Sequence, residues 1–506
     1  MLECGDIVPP AFNPFPLTPL DHLLPRLHMT CFFYFATRSP ITDVSILENG
    51  LDLLIAQNPI LAGDVCPASQ SNGKANRFEV RPPTATSLED YPLFLICMHT
   101  GEYFYRPKSA RSRRVTGRDL SQAKYRPVPL DAVDRERTPG LRWQANVFDD
   151  GIVLGVCHHH LFHDAIGLYI ILRALAACCQ SPKLTGQVSL QSVDTDCRQR
   201  IIKLGKQVGS MPGTGRRVEI FSSPKKTVDI TGDRIAVELI TIPFEAICRL
   251  KEACIAITAD MLGSVARNVD PGSPEKSQAP PIFSDNDVAA ALMWLCWMRS
   301  HYHQPQHSPQ PHETSMVMMI ELRHKSRGLL PLEYIGNALA PVAASAPLSP
   351  VINSPVKTVA ADSQDNSPEM YRRIPGISTY DLALLADLTF RAYKTYTKVD
   401  DRYIRDLIRE KQISPDWRSD YPSDNQFGYS NMRLMNLSDI DFGKVLGRIV
   451  GFDVPDFRTN GQCWVLPAPT RMAPWEFRVS MEREDMQRFL GDPLLAWAMG
   501  QNVARL

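Results

Sequence analysis

Cys157-His158-His159-His160-Leu161-Phe162-His163-Asp164-Ala165-Ile166-Gly167 decides how this chain is read, because it joins a strand-like run to a helical one. Before it, Arg142–Phe148 and Ile152–Cys157 are rich in β-branched and aromatic residues. Asp149-Asp150-Gly151 separates them, which predicts a hairpin. After it, Ala165–Cys179 is apolar almost all round, as expected of a helix buried on most of its surface. Four histidines and an aspartate therefore sit at a strand-to-helix junction, where side chains are held rigidly yet reach a cleft.

Three chemistries fit that cluster. His160 can act as a general base, since an unperturbed imidazole titrates near neutral pH, and Asp164 four residues later can fix the loop or the ring. His158, His160 and His163 can bind zinc with a fourth position open. The third reading is a set of hydrogen-bonded core histidines. Strand alternation puts His158 and His160 on one face and His159 on the other, so at most part of the run converges. A bare His-x-x-x-Asp arises by chance in a chain with 12 histidines, and context must carry the case.

Outward from the cluster, 506 residues predict two large domains or three ordinary ones. With 44% apolar and 22% charged residues, a disordered or collagen-like chain is excluded. The 55 basic and 55 acidic side chains leave no formal net charge, which argues against wholesale attraction to nucleic acid or an anionic membrane. No apolar window spans a bilayer, and Met1–Pro16 lacks the pattern of a signal peptide, so a cytoplasmic protein is expected. The 12 cysteines are scattered without a C-x-x-C pair and read as free thiols. Gly101–Arg126 holds eight basic residues against Glu102 and Asp119, a solvated loop or a weak candidate for phosphate contact.

Met29–Phe35 reads as a strand, and Ile41–Gln57 as a helix with Val44, Leu47, Leu51, Leu54 and Ile55 on one face. Gln180–Lys226 reads as a long polar crossover. Beyond it, Val237–Ile242, Ser315–Leu322, Gln462–Leu466 and Trp475–Met481 are strand candidates. Phe244–Cys254, Val288–Arg299 (with Ser284 and Asp287 as a capping box), Tyr380–Arg409 and Arg483–Leu490 are helical. Elements of both kinds alternate along the chain, an α/β or α+β pattern.

His159-His160-x-x-x-Asp164-x-x-Gly167 resembles the H-H-x-x-x-D-G-x-G motif of the BAHD acyltransferase family and of the related condensation domains. Thr18-Pro19-Leu20-Asp21, Asn58–Gly63, Leu322–Lys325, Tyr334–Asn337 and Asp441-Phe442-Gly443 resemble further elements of that family in the same order, in the flavour of its fungal trichothecene O-acetyltransferase-like branch. The resemblance implies two chloramphenicol-acetyltransferase-like domains, 1–215 with the histidine motif and 216–506 with the DFG element, and an active-site channel between them. It implies acyl-CoA, acetyl-CoA first, as co-substrate with no bound cofactor or metal, a small-molecule alcohol or amine acceptor, and a monomer. His160 and Asp164 match the catalytic motif. Arg323 matches the aspartate's partner, and Asp441, Phe442 and Gly443 match a structural motif. Ser430, Asn431 and Asn337 are the candidates for oxyanion or channel contacts.

The sequence departs from the family pattern at Ala165 (usually Gly), Lys444 (Trp), Ile449 (Pro) and Met432, where an indole usually stands. Two other functions stay open: transfer or condensation from the pantetheine of a carrier protein, and a non-catalytic binding module on the same fold.

Overall fold

The structure is a computed structural model that describes residues 2–4, 9–69, 73–104, 113–114, 119–129, 132–133, 135–180, 189–207, 234–267, 281–303, 312–352, 374–419, 425–456 and 459–501. Two mixed sheets of six strands dominate it. The first runs in the order Leu2–Cys4, Phe94–Met98, Leu141–Phe148, Gly151–His159, His28–Phe35, Gly451–Asp453. The second runs Ile235–Ile242, Trp475–Glu482, Gln462–Val465, Gln426–Asn431, Glu313–Glu321, Leu339–Pro347.

The hairpin forms where the sequence places it. Leu141 pairs with His158 and Phe148 with Gly151. Gly151 is required there by close packing, since a Cβ would lie 2.4 Å from Phe35 O. Strand Gly151–His159 is also paired on its other edge with His28–Phe35, so the histidines leave the middle of a sheet. Helices Pro40–Gln57 and Ala165–Gln180 cover one face, burying Leu47, Leu51, Leu168, Ile171 and Leu172 among others. In the second core, Asp285–His301 is buried nearly throughout, Trp294 and Trp297 included, and its Ser284–Asp287 capping box is formed.

The polar crossover is not all loop. Leu190–Lys206 is a helix, and its Cys197, Ile201 and Leu204 join the second core. Its buried face also carries Asp194 and Arg198, which interrupt the apolar stripe and hide the period from a hydrophobicity reading. In the other direction, Gly451–Asp453 crosses back to pair with Tyr34, Phe33 and Phe32 of the first sheet. Tyr380–Arg409 resolves into two helices, Thr379–Lys398 and Asp401–Ile413. Among the described residues no helix is long and apolar enough to cross a membrane. The described cysteines are free, and most are buried.

Candidate active site

Alternate residues of both sheets face one channel. Met29 and Cys31 line it from the first sheet, with His158 and His160 from the neighbouring strand and its end. Val317, Met319, Leu339, Pro341, Ser430, Met432 and Trp464 line it from the second. The space measures about 1400 Å³ with its open ends. Alternation therefore delivers His158 and His160 to the channel together, with ring centroids 6.0 Å apart. His159 points the opposite way, its ring 5.2 Å from that of His28, and its Nδ1 accepts from the Leu161 N–H at 3.2 Å.

The backbone of His160 is pinned twice. Its N–H donates to Leu27 O at 2.9 Å, and its carbonyl accepts from Asn337 Nδ2 at 2.9 Å. Its ring Nδ1 faces His163 O at 3.4 Å. A carbonyl only accepts, so the proton belongs on Nδ1, and Nε2 is left with its lone pair. Burial holds the His160 pKa below 6.5, while the Asp164 charge opposes the fall. The ring is therefore a neutral base at neutral pH. His158 is lowered further, chiefly by burial and then by His160 and His163.

Asp164 points into the protein. Its Oδ1 accepts from the Gly167 N–H at 2.7 Å and Arg323 Nη2 at 3.0 Å, its Oδ2 from Arg323 Nη1 at 3.1 Å and the Ala338 N–H at 2.8 Å. Arg323 also donates to Tyr334 O, Gly336 O and Glu321 Oε1. The side chains of this pair are 1% and 0% exposed, so neither charge is solvated by water. The pair ties the histidine loop of the first half to the Tyr334–Asn337 turn of the second. His163 adds a third tie through Nδ1 to Ile335 O at 2.9 Å, and burial drops its pKa to about 4.

A second buried network lies beneath it. Asp21 accepts from Thr18 Oγ1 at 2.8 Å, Arg198 Nη1 at 2.7 Å and Asn337 Nδ2 at 3.0 Å, and Arg198 Nε also reaches Asp194 at 2.6 Å. Asn337, a candidate for oxyanion or channel contact, instead bridges Asp21 to the His160 carbonyl through its Nδ2 and is not among the described residues that line the channel. Arg198 carries no motif that marks it. The only sequence signal is its helical spacing from Asp194.

Asn431 also needs correction. It lies on the far side of strand Gln426–Asn431 from Ser430, where its Nδ2 donates to Asn286 Oδ1 and its Oδ1 accepts from the Arg433 N–H at 2.7 Å. Ser430 and Met432 face the channel, so the hydroxyl is retained and a thioether stands where the resemblance expects an indole. Trp464, in register with Ser430 on the adjacent strand, brings an indole to the same wall from another position.

Ala165 is accommodated as the first residue of its helix without a left-handed backbone. Asp441-Phe442-Gly443 forms a tight loop away from the channel. Gly443 has φ 94°, its N–H donates to Asp441 Oδ1 at 2.8 Å, and Phe442 packs edge-on against Phe35 with ring centroids 4.8 Å apart. His163 turns to Ile335 O while His158 and His160 face the channel, and among the described residues no three His, Cys, Asp or Glu side chains are grouped to hold a metal. Of the basic segment Gly101–Arg126, the cations at 106, 108, 111 and 118 lie outside the described residues. Lys124 is paired with Glu102 at 3.2 Å.

Residues 121–494 match the family model described as the Transferase family. Over 503 residues the chain is 25% identical to the O-acetyltransferase ptmV of Penicillium ochrochloron, covering 97% of each chain. It is 25% identical to the fumigaclavine B O-acetyltransferase easN of Aspergillus fumigatus, covering 98% of this chain and 99% of that one. Among solved structures, F. sporotrichioides TRI101 complexed with coenzyme A and T-2 superposes with a TM-score of 0.66 at 17% identity, covering 95% of this chain and 97% of that one. Vinorine synthase superposes with a TM-score of 0.60 at 14% identity, covering 96% and 95%. These likenesses establish the two-domain mixed α/β fold.

Proposed function

Since the chain belongs to the Transferase family, the BAHD-type acyltransferases that its histidine motif resembles, we propose that it transfers an acyl group, acetyl first, from acyl-CoA to a hydroxyl of a fungal-type secondary metabolite. The observation that carries the reading is the His160 ring, held in the channel as a neutral base with its Nε2 lone pair available. The named activities of ptmV and easN, both O-acetyltransferases, and the coenzyme A of the TRI101 complex support the donor and the bond formed.

In the proposed reaction His160 Nε2 takes the hydroxyl proton as the oxygen attacks the thioester carbonyl. A tetrahedral oxyanion forms and collapses with loss of the thiolate, and the imidazolium returns the proton to sulfur. The products are the ester and free coenzyme A, and no acyl-enzyme is needed. Ser430 is the hydroxyl donor we assign to the oxyanion from the channel wall. Asp164 and Arg323 act on position, because both Asp164 oxygens are fully engaged behind the loop. We also keep 1–215 and 216–506 as the proposed domains, each headed by one of the six-stranded sheets.

Incubating the protein with acetyl-CoA and a panel of alcohols, read as a mass gain of one acetyl group, tests the reading. Acetylation that His160→Ala abolishes supports it, and acetylation indifferent to that substitution overturns it.

A further inference from the structure

Most of the polar side chains that line the channel have a task. His160 is the base, with His158 beside it, and Ser430 is assigned to the oxyanion. Ser419 Oγ donates to Leu23 O at 2.7 Å, Tyr429 Oη to Asn286 Oδ1 at 2.8 Å and Lys411 Nζ to Arg418 O at 3.1 Å. Thr459 and Gln462 remain, at the two ends of the turn that opens strand Gln462–Val465. Among the described residues none hydrogen-bonds the Gln462 carboxamide. A leucine or methionine would continue the apolar wall at this position, whereas a carboxamide there is costly unless its oxygen and nitrogen find partners.

Strand register shows how the amide is seated. Gly428 pairs with Gln462 on one side and Val317 on the other, and Ser430 pairs with Trp464. Alternation therefore gives the channel wall a Gln462–Gly428–Val317 row next to a Trp464–Ser430 row, about 7 Å further along the strands. Cys463 and Val465, of the opposite parity, are buried in the second core. A Cβ on Gly428 would stand 2.3, 2.6 and 2.7 Å from Gln462 Oε1, Nε2 and Cδ. Three such similar distances mean that the amide lies flat over the bare glycine, so its oxygen and nitrogen sit side by side along the channel wall.

We propose that Gln462 is a specificity-determining residue of the acceptor subsite, and that the acceptor is a hydroxyl-bearing lactam. Gln462 Nε2–H donates to the lactam carbonyl while Oε1 accepts from the lactam N–H, a two-point pairing of one amide edge with another. A lactam fits because its ring holds the amide cis, with N–H and C=O on a single edge. The pantetheine arm of the donor carries open-chain secondary amides, which are trans and present those groups on opposite edges. With the lactam at Gln462, the apolar body of the acceptor lies along Met29, Met319 and Leu339 and its hydroxyl lies at His160. This inference rests on the acyl-transfer reading for the role of the hydroxyl, but lactam binding can be measured without turnover.

The test is equilibrium binding of 6-(hydroxymethyl)quinolin-2(1H)-one, a lactam, and of 6-(hydroxymethyl)coumarin, the lactone that replaces its N–H by oxygen. Both are titrated by calorimetry into wild type, Gln462→Leu and Gly428→Ala, with coenzyme A binding measured beside them. Wild type is expected to bind the lactam on the order of tenfold more tightly than the lactone. Gln462→Leu removes the difference, and Gly428→Ala reduces it by pushing the carboxamide off its seat. Equal or absent binding of the two compounds by wild type overturns the proposal, and so does a lactam preference that persists in Gln462→Leu. An effect of that substitution on coenzyme A affinity alone also overturns it, by assigning the amide to the pantetheine arm. If Gln462→Leu does not fold, Gly428→Ala decides, since an undiminished preference there is incompatible with the seat. A Gln462-dependent lactam preference without transfer to any hydroxyl refutes acyl transfer and leaves the subsite standing. His160-dependent transfer to alcohols, without lactam preference in binding, does the reverse.

Discussion

His160 is basic only while Nε2 keeps its lone pair, so the rate should follow its protonation. Its pKa lies below 6.5 because burial disfavours the imidazolium, with Asp164 in opposition. The kcat/KM profile is therefore expected to stay flat from neutral pH to below 6.5 and to fall only as the ring protonates. A midpoint above 6.5 would contradict the burial argument. His160→Ala should lower kcat by on the order of 10²-fold or more. Ser430→Ala should cost on the order of 10²-fold in kcat with little change in KM if its hydroxyl meets the oxyanion. A change confined to KM would place Ser430 in binding alone. At this scale the motif was legible for His160, Asp164 and Arg323, whose residue types and order carry the resemblance. Asn337 and Asn431 were not, because a carboxamide in sequence gives no sign of which way its strand or turn faces.

The loop from His160 to Gly167 owes its shape to partners on distant elements. Asp164 holds it through Arg323 and the Ala338 N–H, and Gly167 packs so closely that a Cβ would stand 2.1 Å from Ile335 O. Asp164→Ala leaves the buried Arg323 guanidinium with one carboxylate, Glu321, in place of two, and is expected to lower unfolding free energy by about 3 kcal/mol in denaturant melts. A loss below about 1 kcal/mol would show that the pair does not anchor the loop. Gly167→Ala should likewise lower the melting temperature and the rate together, because the helix must shift from the Ile335 turn. Elements with one apolar face, such as Pro40–Gln57, were legible from period alone. Helix Leu190–Lys206 was not, since its inward face spends two positions on Asp194 and Arg198, whose purpose appears only when Asp21 and Asn337 are brought beside them.

Across the whole molecule, the halves are stitched by buried polar groups, which makes stability sensitive to acid. His22, His28 and His163 are neutral in the fold, with pKa values lowered to about 4 by burial, against 6.5 when solvated. Between those values the unfolded chain binds more protons. Stability is therefore level above pH 6.5 and is lost as pH falls toward 4, by about 1.4 kcal/mol per pH unit for each such histidine. Melting temperatures recorded from pH 7.5 to 5 should decline once pH drops below 6.5, and constancy over that range would refute the burial of these rings.

Zero net charge suits a fold whose channel is lined mainly by apolar residues. The two-sheet architecture was legible from alternating elements and motif order. The exchange of Gly451–Asp453 into the first sheet was not, because strand pairing over such a separation leaves no local mark.

In the proposed reaction His160 moves the proton as the acyl group leaves acyl-CoA. Its most direct test is acetyl transfer from labelled acetyl-CoA to an alcohol panel by wild type and a folded His160→Ala variant. Labelled ester and free coenzyme A are expected in equal amounts from wild type, and both at a rate lower by on the order of 10²-fold or more from the variant. Equal turnover by both proteins would contradict this role of His160.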